Sequence, residues 1–381
     1  MLCIKNGTIH DAVHREGYHA DILIENGKIC AIGPDLKAEK TMDATGLSVY
    51  PGFVEAHAHI GLDGYGATKT DADFNERSDV WCPQLRAIDS INPQDKAFEL
   101  ARAAGVTCVC AGPGSSNVIG GTFTAIKTVG DRVDDMVVKR EVAMKCAFGE
   151  NPKRNYIGKS DGTRMTTAAI LRGALMTARF YMQRQEAAKG DISKYPPFDM
   201  KLEALLPVLR REMPLKAHAH RADDIFTAIR IAEEFGVRLT LEHVTEGHLI
   251  AHHLAGSGLC MAVGPTLGHA TKMELINKSW TTPGVLSKAG CHVSITTDSP
   301  FIPQEYLPIC AGMAVKAGMD PFDALRAITI NPAEHIGIAD RVGSLEVGKD
   351  ADVVLTDGDP FEIATVVRTV FIDGSIVFQA E

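Results

Sequence analysis

Four short segments hold the residues whose types and spacing could do chemistry. Val54-Glu55-Ala56-His57-Ala58-His59 sets two imidazoles two residues apart, and Lys216-Ala217-His218-Ala219-His220 repeats that spacing. Leu241-Glu242-His243 adds another imidazole, and Ile295-Thr296-Thr297-Asp298 adds a carboxylate. Side chains two apart on a strand share a face, so His57 and His59 can converge on one ion. Imidazole nitrogen and carboxylate oxygen both ligate zinc, at ~2.0–2.2 Å. The set therefore reads as a site for one or two divalent ions, zinc foremost, with manganese or iron as alternatives.

These residues need elements that bring four distant segments to one place. Each segment is an apolar run that ends in a polar loop, the pattern of a buried strand reaching the surface. Between them the chain alternates helices with strands. Arg221 to Val244 is the clearest unit: Asp223 and Asp224 suit a helix N-terminus, Ile225, Ile229 and Ala232 follow a helical period, and Gly236 ends the helix before Val237–Leu241. Such repetition without a glycine-rich dinucleotide fingerprint predicts a (β/α)8 TIM barrel over 51–345, whose C-terminal strand ends share one mouth. The termini read differently. Asn6-Gly7 and Asn26-Gly27 are hairpin signals, and the last stretch again places strands around glycine turns. The expectation is a small β-sandwich domain composed of 1–50 plus 346–381.

Composition narrows the function classes. The chain has 381 residues, 45% hydrophobic and 23% charged, with a net charge of −9. Those values suit a globular enzyme, and the absence of a basic run argues against nucleic acid. No apolar stretch reaches the ~20 residues of a membrane span, and no signal peptide is evident. Nine scattered Cys with no Cys-x-x-Cys pair suggest free thiols and a cytoplasmic setting. A small-molecule substrate is the expected partner, and homo-oligomerisation is left open.

In order and type, these motifs resemble the amidohydrolase superfamily, and within it the imidazolonepropionase-related group. Pro51-Gly52-Phe53-Val54-Glu55-Ala56-His57-Ala58-His59, Ala217-His218, Glu242-His243, Thr297-Asp298 and Gly343-Ser344-Leu345-Glu346-Val347-Gly348-Lys349-Asp350-Ala351-Asp352 carry the resemblance. It implies metal-dependent hydrolysis of a carbon–nitrogen bond. It implies His57, His59, His218 and His243 as metal ligands, and Asp298 as a ligand that also takes a proton from the attacking water. Dipeptidase-like members have Tyr where this chain has His220, so the resemblance implies a substrate contact there. For the strand-four ligand two residues compete. Lys145 matches the carboxylated lysine that bridges two ions in one branch, while Glu150, at the strand end, needs no modification and is preferred.

Other residues are candidates for substrate contact. Gly112–Thr122, with Asn117, is a glycine-rich loop after the second strand that could present N–H donors. Gly61–Asn92 is long enough to form a lid. Arg86, Lys153 and Arg154 follow strand ends and could clamp a carboxylate, and His269 follows strand seven. The leading expectation is hydrolysis of a cyclic amide, an N-acyl amino acid or a dipeptide. The alternatives are ring deamination and a non-catalytic assembly role. Deaminase relatives commonly carry Glu three residues after the strand-five His, where this chain has Arg221, and a chain retaining every ligand argues against the assembly role.

Overall fold

A computed structural model describes residues 1–66, 70–156 and 162–380. Its strands form three sheets, one built from the two ends of the chain and two from the middle. The α/β architecture agrees with the sequence reading, but among the described residues the ladders of the middle do not close into one ring. Strands Phe53–Ala58 and Val106–Ala111 run parallel, as do Met144–Ala147, Leu215–Ala219, Leu239–His243, Cys260–Val263 and His292–Ile295 in succession. These two parallel groups are joined by antiparallel strands. Thr124–Lys127 pairs with Val106–Ala111, and Ile119–Thr122 pairs with Met144–Ala147. The last four residues of the segment expected to be a glycine-rich loop are thus wall, while 112–118 lie outside any strand. Trp81 and Arg86 of the long 61–92 segment bridge in parallel to Ile119 and Thr122. Residues 67–69 of that segment lie outside the described ones.

Where His292–Ile295 meets Phe53–Ala58 no ladder forms, and side chains make the connection. The Thr296 hydroxyl donates to the His57 carbonyl at 2.8 Å. Glu55, fully buried, accepts from the His57 N–H at 3.1 Å, from the Thr297 N–H at 2.9 Å and from the Thr297 hydroxyl at 2.8 Å. Glu55 thereby ties the His57-x-His59 strand to the loop bearing Asp298. A buried carboxylate is tolerated only when hydrogen-bonded in this way.

The helix read from sequence is present as Ala222–Phe235, with Gly236 in the left-handed region at φ 67°. That conformation ends a helix without the Cβ clash other residues incur. Ile225, Ala228 and Ala232 bury its inner face. Of the two hairpin signals, only Asn26-Gly27 makes a turn, joining Tyr18–Glu25 to Lys28–Gly33. Asn6-Gly7 lies inside the strand Leu2–Ile9, where the register with its partner shifts. The positive φ of Asn6 is used for a bulge there, which the dipeptide serves as well as a turn.

The terminal sheet brings Ser48–Pro51 against Val353–Thr356 antiparallel and places Leu2–Ile9 beside Ser48–Pro51. Its attachment to the middle is partly ionic. Lys127 reaches Asp352 at 2.6 Å, Asp350 at 3.1 Å and Asp373 at 3.3 Å, with Lys127, Asp350 and Asp352 all buried. Among the described residues no helix is long and apolar enough to cross a membrane.

Candidate metal centre

The ligand candidates meet at the C-terminal ends of the parallel strands and fall into two groups. His57, His59 and Asp298 offer ligand atoms within 4.8 Å of one another, and so do His218, His220 and His243. All six are buried. Asp298 Oδ1 lies 3.2 Å from His59 Nε2 and 3.4 Å from His57 Nε2. In the second group the ring centroids of His218 and His243 are 4.3 Å apart, and His220 stacks on His243 at 4.6 Å.

The rings are held by bonds on the nitrogen away from the centre. His59 Nδ1 donates to the Gly112 carbonyl at 2.7 Å and His243 Nδ1 to the Gly264 carbonyl at 2.8 Å. A carbonyl only accepts, so each Nδ1 carries a proton, and each Nε2 is turned toward the centre. His57 Nδ1 faces Glu242 Oε2 at 3.2 Å. Glu242 in turn takes Lys216 at 3.0 Å, His335 Nε2 at 3.0 Å and the Thr240 hydroxyl at 2.8 Å, all inside the sheet interior. His243 and Asp298 both have positive φ, 77° and 55°. Left-handed backbone at non-glycine residues is strain of the kind that clusters at functional sites.

Burial acts on the rings and on the carboxylate alike, penalising the charged form of each. Burial drives the pKa of His57, His218 and His220 well below the usual 6.5 and that of His243 down to about 4. Asp298 pays the opposite cost of burial, yet its imidazole neighbours hold it well below the usual carboxylate range. Both nitrogens of His218 and Oδ1 of Asp298 lack any hydrogen-bond partner although fully buried. Such orphans are rare in a native interior, and a divalent cation among neutral imidazoles and a carboxylate would satisfy them.

The strand-four candidates part company. Lys145 is fully buried, with Nζ 3.3 Å from His57 Nε2 and 5.5 Å from the Phe123 ring centre. Burial pulls its pKa down to about 8 against the attraction of Asp298 and Glu242. Glu150 belongs to neither ligand group. It begins the helix Glu150–Tyr156, and its Oε1 accepts from the Glu274 N–H at 2.9 Å while its own N–H donates to Glu274 Oε2 at 2.9 Å. Rising past the strand end, it is committed to closing the loop after strand Cys260–Val263.

A cavity of about 360 Å³ opens above the two groups. Of the sequence candidates for substrate contact, His220, Arg154 and His269 line it. Arg86, Asn117 and Lys153 do not. Arg86 pairs with Asp89 on the surface, and Asn117 is buried with its amide on the Asp79 carbonyl and the Tyr156 hydroxyl. Residues not singled out from sequence also line it, among them Phe74, Arg77, Lys272, Lys278 and Phe301. A basic or aromatic residue in a loop carries no periodic signal, so nothing in the sequence distinguished these from surface side chains. Glu274 was also missed. It is wholly buried, with Oε1 3.7 Å from His220 Nε2, 3.9 Å from His218 Nε2 and 2.6 Å from Lys272.

The fold and these two candidate ligand groups suit a metal-dependent hydrolase, and comparison with known proteins names the family. The Amidohydrolase family profile matches residues 48–377, so the chain belongs to the amidohydrolase family. An amidohydrolase structure from Thermotoga maritima superposes with a TM-score of 0.97 at 40% identity, over 100% of both chains. Imidazolonepropionase of Thermoplasma volcanium is 25% identical over 95% of this chain and 91% of its own length. Amidohydrolase tasK of Hapsidospora irregularis is 27% identical over 94% of this chain, which spans only 40% of that protein. The protein is thus an amidohydrolase-family hydrolase, and the family and its named relatives are consistent with action on carbon–nitrogen bonds.

Proposed function

We propose that this chain hydrolyses the amide bond of a small carboxylate-bearing substrate, an N-acyl amino acid, a dipeptide or a cyclic amide, at a two-ion centre. One observation carries the reading: two adjacent groups of buried ligand candidates, one of them containing Asp298, lie beneath a cavity whose described lining is rich in cations. His57, His59 and Asp298 would hold one ion, His218 and His243 the other. Lys145, between the groups and carboxylated on Nζ, fits the strand-four role better than Glu150, whose carboxylate is already committed. Zinc suits the imidazole and carboxylate donors. The chemistry a divalent ion supplies in such a site is polarisation of a carbonyl and acidification of water.

The chain's own groups do the rest. Asp298, ionised and beside His57 and His59, takes a proton from the attacking water and returns it to the leaving nitrogen. Arg77 and Arg154 have no carboxylate partner among the described residues, and Lys278 donates only to the carbonyls of Gly268 and His269. These three cations face a cavity where, among the described residues, only Lys272 is neutralised, by Glu274, which supports an anionic substrate. Ring deamination is the weaker reading. Arg221, at the position of the deaminase Glu, pairs with Asp223 at 2.9 Å.

The remaining features of the reading are architectural. We take 51–345 as a (β/α)8 barrel and 1–50 plus 346–381 as a composite β-sandwich unit, and nine free thiols support a cytoplasmic setting. The test is turnover of a panel of N-acyl amino acids and dipeptides by zinc-loaded enzyme. Asp298→Asn is expected to abolish kcat, and Arg154→Ala to raise KM several-fold with kcat nearly kept. Equal turnover of amidated substrates lacking the carboxylate would remove the anionic part of the proposal.

A further inference from the structure

We infer that His220 is a third nitrogen ligand of the second ion, completing a three-imidazole seat with His218 and His243 that Glu274 closes from the side. The inference rests on the two-ion reading above and departs from the substrate contact that the family resemblance implied for this position.

Position comes first. His218 lies on the strand Leu215–Ala219 and His220 directly follows it, so the two-residue spacing that pairs His57 with His59 recurs here. The His218 and His220 ring centroids are 4.6 Å apart at 88°, and His220 lies 4.6 Å from His243. Each of the three rings is thus within 4.6 Å of the other two. A side chain meant only for substrate has no need to pack into that triangle, where it is 3% exposed.

Orientation comes second. His220 Nδ1 is bonded to the Thr245 hydroxyl at 2.7 Å, which anchors the ring from behind in the way Gly112 and Gly264 anchor His59 and His243. Nε2 is left facing Glu274 Oε1 at 3.7 Å, too far for a hydrogen bond. His218 Nε2 is 3.9 Å from the same oxygen. Two donors bound ~2.0–2.1 Å from one tetrahedral zinc sit roughly 3.4 Å apart, so this carboxylate stands near ligand spacing from both rings.

The third point is the space made for Glu274. Gly149 has φ +84°, and a Cβ there would come within 2.3 Å of Glu274 Oε2. Oε2 is also held by the Glu150 N–H at 2.9 Å. The strand-four loop thus admits and grips a buried carboxylate whose other oxygen points at two imidazoles. With Lys272 on that oxygen, the carboxylate has a counter-charge before any ion arrives.

The test measures metal, not turnover. Wild type, His220→Asn and Thr245→Val are loaded with zinc, and the ions per chain and their affinities are read by plasma mass spectrometry and chelator competition. Cobalt-loaded samples report coordination by visible absorption. We expect His220→Asn to lose one of two ions, or to weaken it beyond the roughly 10–100-fold that an outer-shell partner costs. Thr245→Val is expected to weaken the same ion within that range and to stand in if His220→Asn does not fold. Two ions at wild-type affinity with an unchanged cobalt spectrum in either folded variant would overturn the assignment and return His220 to the substrate. Wild type with a single ion overturns it too, while leaving one-ion hydrolysis standing. Wild type with no ion overturns the proposed function itself.

Discussion

Lys145 Nζ stands 3.3 Å from His57 Nε2, both side chains fully buried. An ammonium that donates to no carboxylate there is poorly solvated, and burial has lowered its pKa to about 8. The amine is therefore closer to its neutral, nucleophilic form than a surface lysine. Lys145→Ala is expected to lose bound metal, and added short-chain carboxylate to restore part of it. Glu150→Gln should keep the wild-type metal content. Plasma mass spectrometry of both variants decides, and the reverse pattern would return the strand-four role to Glu150.

Glu242 holds His57 from behind and is itself held by Lys216, His335 and Thr240. Its own side chain is buried and does not line the cavity. Outer partners of metal-bound histidines commonly govern affinity by about 10–100-fold. Glu242→Gln keeps the shape while removing the charge, and a loss of zinc affinity in that range is expected by chelator competition. Unchanged affinity would mean that His57 is oriented by packing on Phe123 instead.

Five buried imidazoles set the acid limit of the metal-free protein. His243 and His335 have pKa values lowered to about 4, and those of His57, His218 and His220 lie well below 6.5, burial being the first cause throughout. Between pH 6.5 and 4 the unfolded chain binds protons that the native chain does not, so stability rises with pH across that window. It is whole above 6.5 and lost as pH falls. Thermal melts of chelator-treated protein from pH 8 to 4.5 should show Tm dropping below 6.5. Zinc should move the drop to lower pH, because the ligands bind it deprotonated. A flat profile without metal would show that the rings are already charged in the native state.

Lys127 joins the terminal sheet to the middle through Asp352 and Asp350. Asp350 also pairs with Lys28 and Arg341, so removing Lys127 leaves buried Asp352 without a counter-charge, and breaking a buried pair costs about 3–5 kcal/mol. Lys127→Met is expected to lower the urea midpoint accordingly. Adding Asp352→Leu should recover part of the loss, since an apolar pair of similar volume avoids the desolvation cost. A single variant as stable as wild type would mean that water solvates this junction.

Much of the centre was legible in one dimension. His57 and His59, His218 and His220, His243 and Asp298 each end an apolar run, and a period of two on a strand fixes which side chains share a face. The order of those runs, with helices between, also determined the α/β architecture and the family resemblance. Backbone geometry acts over a few residues, so local spacing is enough to read it. Tertiary structure alone decided the rest. Whether Lys145 or Glu150 faces the ligands depends on where the chain stands as it leaves a strand. Glu274 reaches His218 and His220 only because Gly149 leaves room for it. Asn6-Gly7 became a bulge because its strand continues along a partner that a local motif cannot see. These outcomes rest on contacts between residues far apart in the chain, where burial and charge compensation select among choices that local sequence leaves equal.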